Sequence, residues 1–423
     1  MTASGPGPAP GGVHRGPWNS QLAVLGFGFL VAVILRLALL PTDGFRGDLD
    51  EFVKWVHGLV TQPFGRAYDQ NLTFPPVMVY IWGLLAAVEP AFRTVTDAAD
   101  PVVRAVMKTP ASLADLAIGL LVAWELRGRP RWAVAAGLGI LLHPALIYVS
   151  AWWGQYESIY VLSGLIAFML AVRGHSLTAA AVLAVAIMTK PQALPFLVPF
   201  AAYFLARGGI RGLALAGIVG AAVVAVLWLP FVADGGVAGY ARSLNEHQGE
   251  TFAILSLRAW NVWWLVQEAF AGGQFVSDQT AILGPLTFRL FGLVAAGLLE
   301  AVVFLAVVRS PTRRTLALGL VAAVLVAFTF LTTMHERYAF GALIFLVLLI
   351  PERRMLVLWL AFGLVLTLNL VAAIPPSEQI GAMLPISGPL GVAGSLAMIA
   401  ITLVVLRKTV ASAREPEPVV GRP

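Results

Sequence analysis

Long apolar stretches recur along the whole chain and are separated by short polar connections. Because a helix needs roughly 20 apolar residues to cross a bilayer, the pattern predicts an all-α polytopic membrane protein with about twelve spans. We expect one integral membrane domain at 21–408, between disordered cytoplasmic tails at 1–20 and 409–423. The predicted spans are 22–40, 110–126, 131–150, 158–173, 175–189, 191–206, 211–231, 284–308, 314–333, 338–350, 354–373 and 388–406.

The apolar segment 74–92 is long enough to cross a bilayer, but Pro75-Pro76 opens it and Glu89-Pro90 closes it. We interpret it as an interfacial or re-entrant helix, because a crossing here would invert the charge pattern of every later connection. Without that crossing, the arginine-rich connections all lie on one side, which the positive-inside rule makes cytoplasmic. The long connections 42–109 and 232–283 then lie on the extracytoplasmic side.

Composition agrees with this prediction and removes several classes of function. Hydrophobic residues make up 59% of the 423 positions and charged residues only 12%, with a mean hydropathy of +0.84, which excludes a water-soluble globule. The sequence contains no cysteine, so disulfides and thiolate chemistry are excluded. The net charge of +6 follows from membrane orientation, and we expect no nucleic-acid partner. The first apolar run lacks a cleavage site, so it is expected to remain as a helix.

Three carboxylates, Asp48, Asp50 and Glu51, follow the first predicted span. If 48–60 is helical, its apolar positions form one stripe, as in a helix that lies in the membrane interface. Side chains two positions apart on a helix diverge by about 200°, so the two aspartates cannot both face one reacting atom. One is free to act as a base, and the other to cap the helix or bind a metal ion. Solvation of a surface helix is the alternative interpretation.

Aromatic and polar residues gather in two further extracytoplasmic turns, 152–158 and 256–264, the first of them preceded by His143. Aromatic faces pack against sugar rings and amides or carboxylates bind sugar hydroxyls, but Trp and Tyr also populate the interfacial belt of membrane proteins. Both interpretations stay open. With the carboxylates above and Glu336, the candidate sugar- or acceptor-binding residues are Asp50, Glu51, Trp153, Gln155, Tyr156, Glu157, Trp260, Asn261 and Glu336.

Cationic residues lie at the edges of predicted spans. Lys190 either snorkels to the interface or faces a wet cavity. The turn 334–338 holds an imidazole, a carboxylate and a guanidinium between two apolar spans, where charges usually serve a substrate or each other. Arginine and lysine suit a phosphate leaving group. We expect Asp115 to pair with Arg104 or Lys108. The candidate phosphate-binding residues are Lys190, Arg258, His335 and Arg337.

Seven short motifs, taken in order, resemble those of the GT-C glycosyltransferases. They are Gly47-Asp48-Leu49-Asp50 through Trp55, Phe74-Pro75-Pro76, Ala114-Asp115-Leu116, His143-Pro144, Trp153-Gly154-Gln155-Tyr156, Lys190-Pro191-Gln192 and His335-Glu336-Arg337. The resemblance covers roughly residues 20–340. It is to the branch that contains the endoplasmic-reticulum glucosyltransferases of asparagine-linked glycan assembly, the first mannosyltransferase of the GPI anchor and many bacterial relatives.

The resemblance implies an inverting enzyme that moves a hexose, mannose or glucose, from a polyprenyl-phosphate carrier to an acceptor hydroxyl on a glycan, glycolipid or protein outside the cytoplasm. Asp48 would be the general base, and Lys190, His335 and Arg337 would lie near the donor phosphate. Gln155 and the tryptophan-rich turns would line the sugar pocket. The second acidic residue of the family varies, so Asp50 is either a ligand for a divalent cation or part of the scaffold.

Two points bear on location and on the competing function. Usage rich in alanine, glycine and arginine suggests a GC-rich bacterium, whose inner membrane would present the site to the periplasm. The competing interpretation is a membrane transporter or lipid flippase, in which Lys190, His335, Glu336 and Arg337 form a proton or substrate pathway. No internal repeat supports it, and these charges collect at one face instead of the midplane.

Overall fold

The computed structural model describes residues 17–247 and 252–414, and this part of the chain is almost entirely α-helical, as predicted. The helices are α1 (Pro17–Leu39), α2 (Arg46–Thr61), α3 (Pro76–Val88), α4 (Pro101–Glu125), α5 (Pro130–Leu141), α6 (Pro144–Ile147), α7 (Glu157–Val172), α8 (Ser176–Ile187), α9 (Leu197–Val232), α10 (Gly236–Glu246), α11 (Val262–Ala271), α12 (Phe288–Arg309), α13 (Arg313–Phe330), α14 (Phe340–Val347), α15 (Arg353–Ala373), α16 (Glu378–Met383) and α17 (Pro389–Ser412).

Short elements complete the architecture. Three 3-10 helices cover Phe64–Gln70, Pro90–Arg93 and Pro191–Phe196, and a π-helix covers Tyr148–Trp153. The strands are β1 (Ser256–Leu257), β2 (Ala281–Leu283), β3 (Leu286–Thr287) and β4 (Met334–His335). They form two small pairs, parallel β1–β4 and antiparallel β2–β3.

Eight helical segments in the described residues are long and apolar enough to cross a membrane, so the predicted count of about twelve is not confirmed. Three of the predicted spans correspond to the short helices α7, α8 and α14, which have 16, 12 and 8 residues. At 1.5 Å per residue these helices are about 24, 18 and 12 Å long, below the roughly 30 Å of hydrocarbon. The segment 74–92 is likewise short, because α3 ends after 13 residues.

The longest candidate span, Pro191–Val232, is interrupted at Gly209, whose φ of 63° and ψ of −168° are not helical. Residues from both sides of Gly209 line one apolar cavity, and a Cβ added at Gly212 would lie 3.6 Å from the carbonyl oxygen of Phe204. The chain therefore folds back on itself here. A side chain at Gly209 would be strained by the positive φ, so glycine is the residue that permits this reversal.

The connections between helices collect at two ends of the bundle. At one end, Glu125 pairs with Arg173 at 2.5 Å and with Arg313 at 3.2 Å, and Arg314 pairs with Glu352 at 2.8 Å. We call this the arginine-rich end. The connections 40–100, 154–156, 188–190, 233–247, 252–287, 331–339 and 374–388 lie at the opposite end, which we call the loop-rich end.

The first long connection packs tightly onto the bundle at the loop-rich end. Helix α2 forms over the predicted segment, but its apolar stripe is buried against protein, with Phe52 in ring contact with Phe74, Trp82 and Tyr156. The stripe is therefore not a membrane-facing surface. Helix α4 begins at Pro101, earlier than predicted, because Asp100 caps it by accepting a bond from Val102 N at 2.7 Å.

A buried polar network joins α1, α4 and α7. Asp115 is fully buried and accepts bonds from Arg36 at 3.0 Å, from Ser150 at 2.5 Å and from Ser158. The expected pairing with Arg104 or Lys108 is wrong. Those two side chains lie nearer the start of α4 and donate instead to backbone carbonyls of the connections that precede α2 and α4.

Candidate functional site

A polar cavity of about 330 Å³ opens at the loop-rich end of the bundle. It is bounded by α2, the turn after the π-helix, the start of the Pro191–Phe196 turn and the 333–338 turn, and by Leu244, His247 and Phe252. Its lining contains six of the predicted site residues: Asp48, Glu51, Gln155, Lys190, His335 and Arg337. Residues more than 280 positions apart are thus brought to one cavity, as 48 and 337 illustrate.

Asp48 lies in the first turn of α2 and is half-buried at the cavity wall. Its Oδ2 accepts hydrogen bonds from Trp153 Nε1 at 2.8 Å and from Gln155 Nε2. Among the described residues, no hydrogen bond is formed to Oδ1. The carboxylate is therefore oriented through one oxygen while the other stays available to a ligand.

The backbone after the π-helix sets this orientation. The π-helix Tyr148–Trp153 ends at Gly154, which has a φ of 95°, and the N–H of Gln155 donates to Val149 O at 2.9 Å. A Cβ at position 154 would lie 2.5 Å from the side chain of Leu49 on α2. Glycine is required both by the left-handed backbone and by the close approach of α2. A π-turn is a common way to redirect side chains at a functional site.

Gln155 connects the carboxylate to a buried cation. Its Oε1 accepts a bond from Lys190 Nζ at 3.1 Å, while its Nε2 donates to Asp48. Lys190 also donates to Glu157 Oε1 at 2.5 Å, and Glu157 is fully buried. Burial lowers the pKa of Lys190, an effect that Glu157 opposes and Arg337 reinforces. An anionic ligand in the cavity would stabilise the charged form of this lysine.

Arg337 is the second cation of the site. It lies 3.2 Å from Glu157 and 2.9 Å from Glu336, and its guanidinium stacks 5.0 Å from the ring centroid of Trp153. Burial alone would lower its pKa, but the neighbouring carboxylates, Glu336 foremost, raise it overall. Burial raises the pKa of Glu336, and Arg337 opposes that shift. Arg337 is thus a fixed positive charge.

His335 is neutral at pH 7. Burial, together with the charges of Arg337 and Lys190, holds its pKa well below the usual 6.5. Its Nδ1 lies 3.3 Å from Arg337 Nη1 and accepts from it, which leaves Nε2 as the N–H donor. The residue offers a hydrogen bond to a ligand rather than the positive charge of a phosphate-binding cation.

Strand pairing fixes the 333–338 turn. β4 pairs with β1 in parallel, and Thr333 N donates at 3.1 Å to the carbonyls of Ile254 and Leu255. Both Thr333 and Arg258, which flank the paired strands, have a φ of 63°, a strained conformation for residues other than glycine. The long connection before α12 therefore holds His335 and Arg337 in place.

Several buried polar atoms around the site have no hydrogen-bond partner among the described residues. They include Trp55 Nε1, Glu157 Oε2 and Gln192 Oε1, and Trp55 and Gln192 line the cavity. An unsatisfied buried polar group costs about 1–3 kcal/mol, so such groups usually mark a position where a ligand or water binds. The cavity wall thus contains both hydrogen-bond donors and acceptors that are free to bind a polar ligand or water.

Asp50 faces away from the cavity. Its Oδ1 accepts from Arg46 Nε at 2.8 Å and from Ala98 N at 2.9 Å, so it anchors the start of α2 to the chain before α4. The divergence of Asp48 and Asp50 agrees with their helical spacing. No group of three or more potential metal ligands occurs in the described residues, and this donor set does not fit a divalent cation.

Four other predicted residues contact protein rather than the cavity. Arg258 is exposed and donates to Ala373 O at 2.8 Å. Trp260 is buried and donates to Ile386 O at 3.1 Å, and Asn261 caps α11. Tyr156 is buried in the aromatic cluster around Phe52. The structure does not bring these side chains into the cavity with Asp48.

His143 also lies apart from the cavity. It is buried, caps α6 through Nδ1, and its ring packs 5.4 Å from that of Trp359. Although His143 is close to the aromatic turn in the sequence, its side chain does not line the polar cavity.

Sequence reasoning missed several cavity residues. Phe74 and Gln192 lie inside the short motifs and Tyr338 directly follows one, so their position was a usable signal although no role was assigned to them. Leu244 belongs to the amphipathic α10 and His247 directly follows it, and nothing in the sequence marks them as site residues.

A second, apolar cavity of about 440 Å³ adjoins the first. Its walls come mainly from α12, α13 and the Pro191–Phe196 turn. Both cavities are lined by Pro191, Gln192, Thr333 and Tyr338. A polar cavity and an apolar cavity therefore meet at one set of residues.

Comparison with known proteins gives no family assignment. No protein-family model matches the chain, and no curated protein matches it in sequence.

Proposed function

We propose that this protein is an inverting glycosyltransferase that moves a hexose from a polyprenyl-phosphate carrier to an acceptor hydroxyl. The observation that carries the proposal is the polar cavity, in which the oriented carboxylate of Asp48 and the cations Lys190 and Arg337 face one space. A base and a stabilised leaving group are the two requirements of such a transfer. The described helices fit a GT-C-like membrane enzyme, and that fold is part of the proposal.

The reaction follows from these groups. The acceptor hydroxyl oxygen attacks C1 of the sugar while Asp48 takes its proton, so a new glycosidic C–O bond forms. The bond from C1 to the phosphate oxygen breaks, and its electron pair leaves with the polyprenyl monophosphate. Lys190 and Arg337 stabilise the added negative charge on that phosphate, and Gln155 links the base to Lys190. Attack opposite the leaving group inverts C1.

The adjoining cavities favour an amphiphilic donor. A sugar phosphate requires the polar cavity, whereas a prenyl chain requires an apolar path that starts beside it. The residues shared by the two cavities provide this junction. A lipid-linked donor also accounts for an enzyme without a nucleotide-binding motif in its sequence.

The charge distribution supports an extracytoplasmic site. The arginine-rich end would face the cytoplasm under the positive-inside rule, so the loop-rich end with its cavity would face the exterior, which is the periplasm in a bacterial inner membrane. The donor tail would remain in lipid while the sugar is wet. A membrane glycan, glycolipid or protein would supply the acceptor hydroxyl.

The deciding experiment uses purified protein in nanodiscs. Polyprenyl-phosphate mannose, glucose and arabinose, each radiolabelled, are supplied with a membrane glycolipid extract, and transfer is followed by chromatography. We expect transfer from one hexose carrier, with loss of transfer in Asp48→Asn. Binding of polyprenyl phosphate and of polyprenol is measured in parallel, because only the phosphate should contact Lys190 and Arg337. Equal affinity for both lipids would contradict the proposal.

One observation favours a transporter as the second candidate. Glu300 lies within α12 and lines the apolar cavity, and both of its carboxylate oxygens are buried without a partner among the described residues. A carboxylate at such depth is a common feature of proton-coupled transport. Proton-coupled lipid movement that Glu300→Gln abolishes, with sugar transfer absent, would establish this alternative; unchanged sugar transfer in Glu300→Gln would support the enzyme.

A further inference from the structure

A groove lies at the arginine-rich end of the bundle, far from the polar cavity at the loop-rich end. It has a volume of about 570 Å³ and runs between the start of α15 and the end of α17. Its lining consists of three cations and four apolar residues, and it contains no carboxylate. The lining residues are Arg353, Arg354, Val357, Leu358, Ala361, Val404 and Lys408.

We propose that this groove binds one anionic phospholipid, with the phosphate held by Arg353, Arg354 and Lys408 and an acyl chain along the apolar wall. The proposal is independent of the glycosyltransferase activity. It concerns a separate surface and a ligand that belongs to the surrounding membrane.

The balance of cations and carboxylates in this groove differs from that in the neighbouring cavity at the arginine-rich end. The neighbouring cavity at this end is lined by two carboxylates as well as three arginines: Arg313 pairs with Glu125, Arg314 pairs with Glu352, and the third is Arg129. Glu352, which directly precedes the groove, has both oxygens bound by Arg314, at 2.8 and 3.0 Å. The three groove cations form no salt bridge to a described carboxylate, although Lys408 adds to the effect of Arg314 in lowering the pKa of Glu352. The orientation rule accounts for positive charge at this end, but it does not account for three cations without a salt bridge around one cavity.

The depth of the lining residues matches a phospholipid. Arg353 and Arg354 begin α15, whereas Val357 and Ala361 lie one and two turns further into the helix, about 6 and 12 Å deeper. α17 runs in the opposite direction, so Val404 lies about 6 Å deeper than Lys408. Val357 is 60% exposed and Val404 is 42% exposed, which leaves the wall open to the surrounding lipid.

The chemistry of the cations selects the headgroup. Guanidinium groups bind phosphate oxygens in a bidentate manner, and basic pockets between membrane helices favour anionic headgroups. A zwitterionic lipid carries its own cation next to the phosphate and gains less from this site. A soluble phosphate would use the cations but would leave the apolar wall uncovered.

The test is native mass spectrometry of the purified full-length protein with added phosphatidylglycerol or phosphatidylcholine. We expect preferential retention of phosphatidylglycerol. The triple variant Arg353→Gln, Arg354→Gln, Lys408→Gln should weaken retention about 10-fold to 100-fold, because each surface cation contributes modestly to such binding. The matched control Arg131→Gln, Arg207→Gln, Arg211→Gln removes the same charge from exposed positions at the same end and should retain the lipid.

A fourth protein, Ala361→Trp, fills the apolar half of the groove and keeps every charge. It should also lose phosphatidylglycerol, and 10 mM inorganic phosphate should not displace the lipid from the unaltered protein. Equal losses in the triple variant and its control would overturn the proposal in favour of diffuse attraction. Unchanged binding by Ala361→Trp, or displacement by phosphate, would overturn it in favour of a simple anion site. Thermal melting of each variant confirms that it is folded.

Discussion

The indole N–H of Trp153 donates to Oδ2 of Asp48 across 2.8 Å, although the two residues lie 105 positions apart in the sequence. The contact joins a π-helix in the middle of the bundle to the first turn of α2. It fixes the candidate base in one orientation and leaves its second oxygen available. The guanidinium of Arg337 stacks over the same indole ring of Trp153.

Asp48→Asn should reduce sugar transfer by about 10²- to 10⁴-fold, which is the usual contribution of a general base. The amide retains the size of the side chain but cannot accept the acceptor proton. Donor binding, measured by native mass spectrometry, should change little. Glu51→Gln is the matched control, since Glu51 is an exposed carboxylate of the same cavity and should remain active. Full turnover by Asp48→Asn would rule out its assigned role.

Lys190→Met should lower the free energy of unfolding by about 1–3 kcal/mol, because Glu157 loses one of its two cations and keeps Arg337 at 3.2 Å. The double variant Lys190→Met, Glu157→Gln should recover much of that loss when melting is measured in detergent. Donor affinity should stay weak in both proteins, since neither has the lysine. Recovery of donor binding in the double variant would show that Lys190 serves the fold alone.

Gly154→Ala should lower stability by about 1–2 kcal/mol through its left-handed backbone and should also reduce transfer. Its added Cβ would meet Leu49 on the helix that carries Asp48. Gly174→Ala is a matched control, because Gly174 has a φ of 86° and nothing within 4 Å of an added Cβ. The control should lose stability and keep its activity. An equal effect of both substitutions on kcat would contradict the positioning role of Gly154.

Acidification should destabilise the protein through His335. Its pKa in the folded state lies well below the 6.5 of the unfolded chain, so the unfolded state binds an extra proton as pH falls through 6.5. The extra proton stabilises the unfolded state, so the free energy of unfolding falls as the pH is lowered and rises as the pH is raised. The loss of stability should therefore grow as the pH falls below 6.5.

The control for this effect is a comparison of two substitutions. His335→Gln should reduce the slope of melting temperature against pH below pH 6.5, whereas His175→Gln, at an exposed histidine near the arginine-rich end, should not. Other groups titrate in both proteins, so the difference between the slopes isolates His335. Identical slopes for His335→Gln and the unaltered protein would exclude this source of acid sensitivity.

Chelation should leave sugar transfer unchanged. Asp50 is engaged by Arg46 and by the N–H of Ala98, and the described residues contain no cluster of metal ligands. Initial rates are compared before and after dialysis against EDTA. A loss of turnover that Mg²⁺ or Mn²⁺ restores would require a metal site formed with the substrate.

The sequence predicts the helical class and much of the cavity because both depend on local patterns. Lys190, His335 and Arg337 stand out as charges beside apolar spans, and the spacing of Asp48 and Asp50 already separates their directions. The number of spans depends on where each helix ends. α7 and α8 are ended early by short turns, and hydropathy alone does not reveal those turns. The separation of Trp260 and Asn261 from the cavity depends on long-range packing, because aromatic residues look alike in a core and at a sugar site.

The buried bond between Arg36 and Asp115 has a consequence for the order in which the protein assembles. α1 is synthesised with a guanidinium whose carboxylate partner lies 79 residues further along the chain. An unpaired arginine is costly in hydrocarbon, and Arg36 lies in the last turn of α1. The bond to Asp115 therefore stabilises α1 in place only once α4 lies beside it. We expect the stable insertion of these two helices to be coupled.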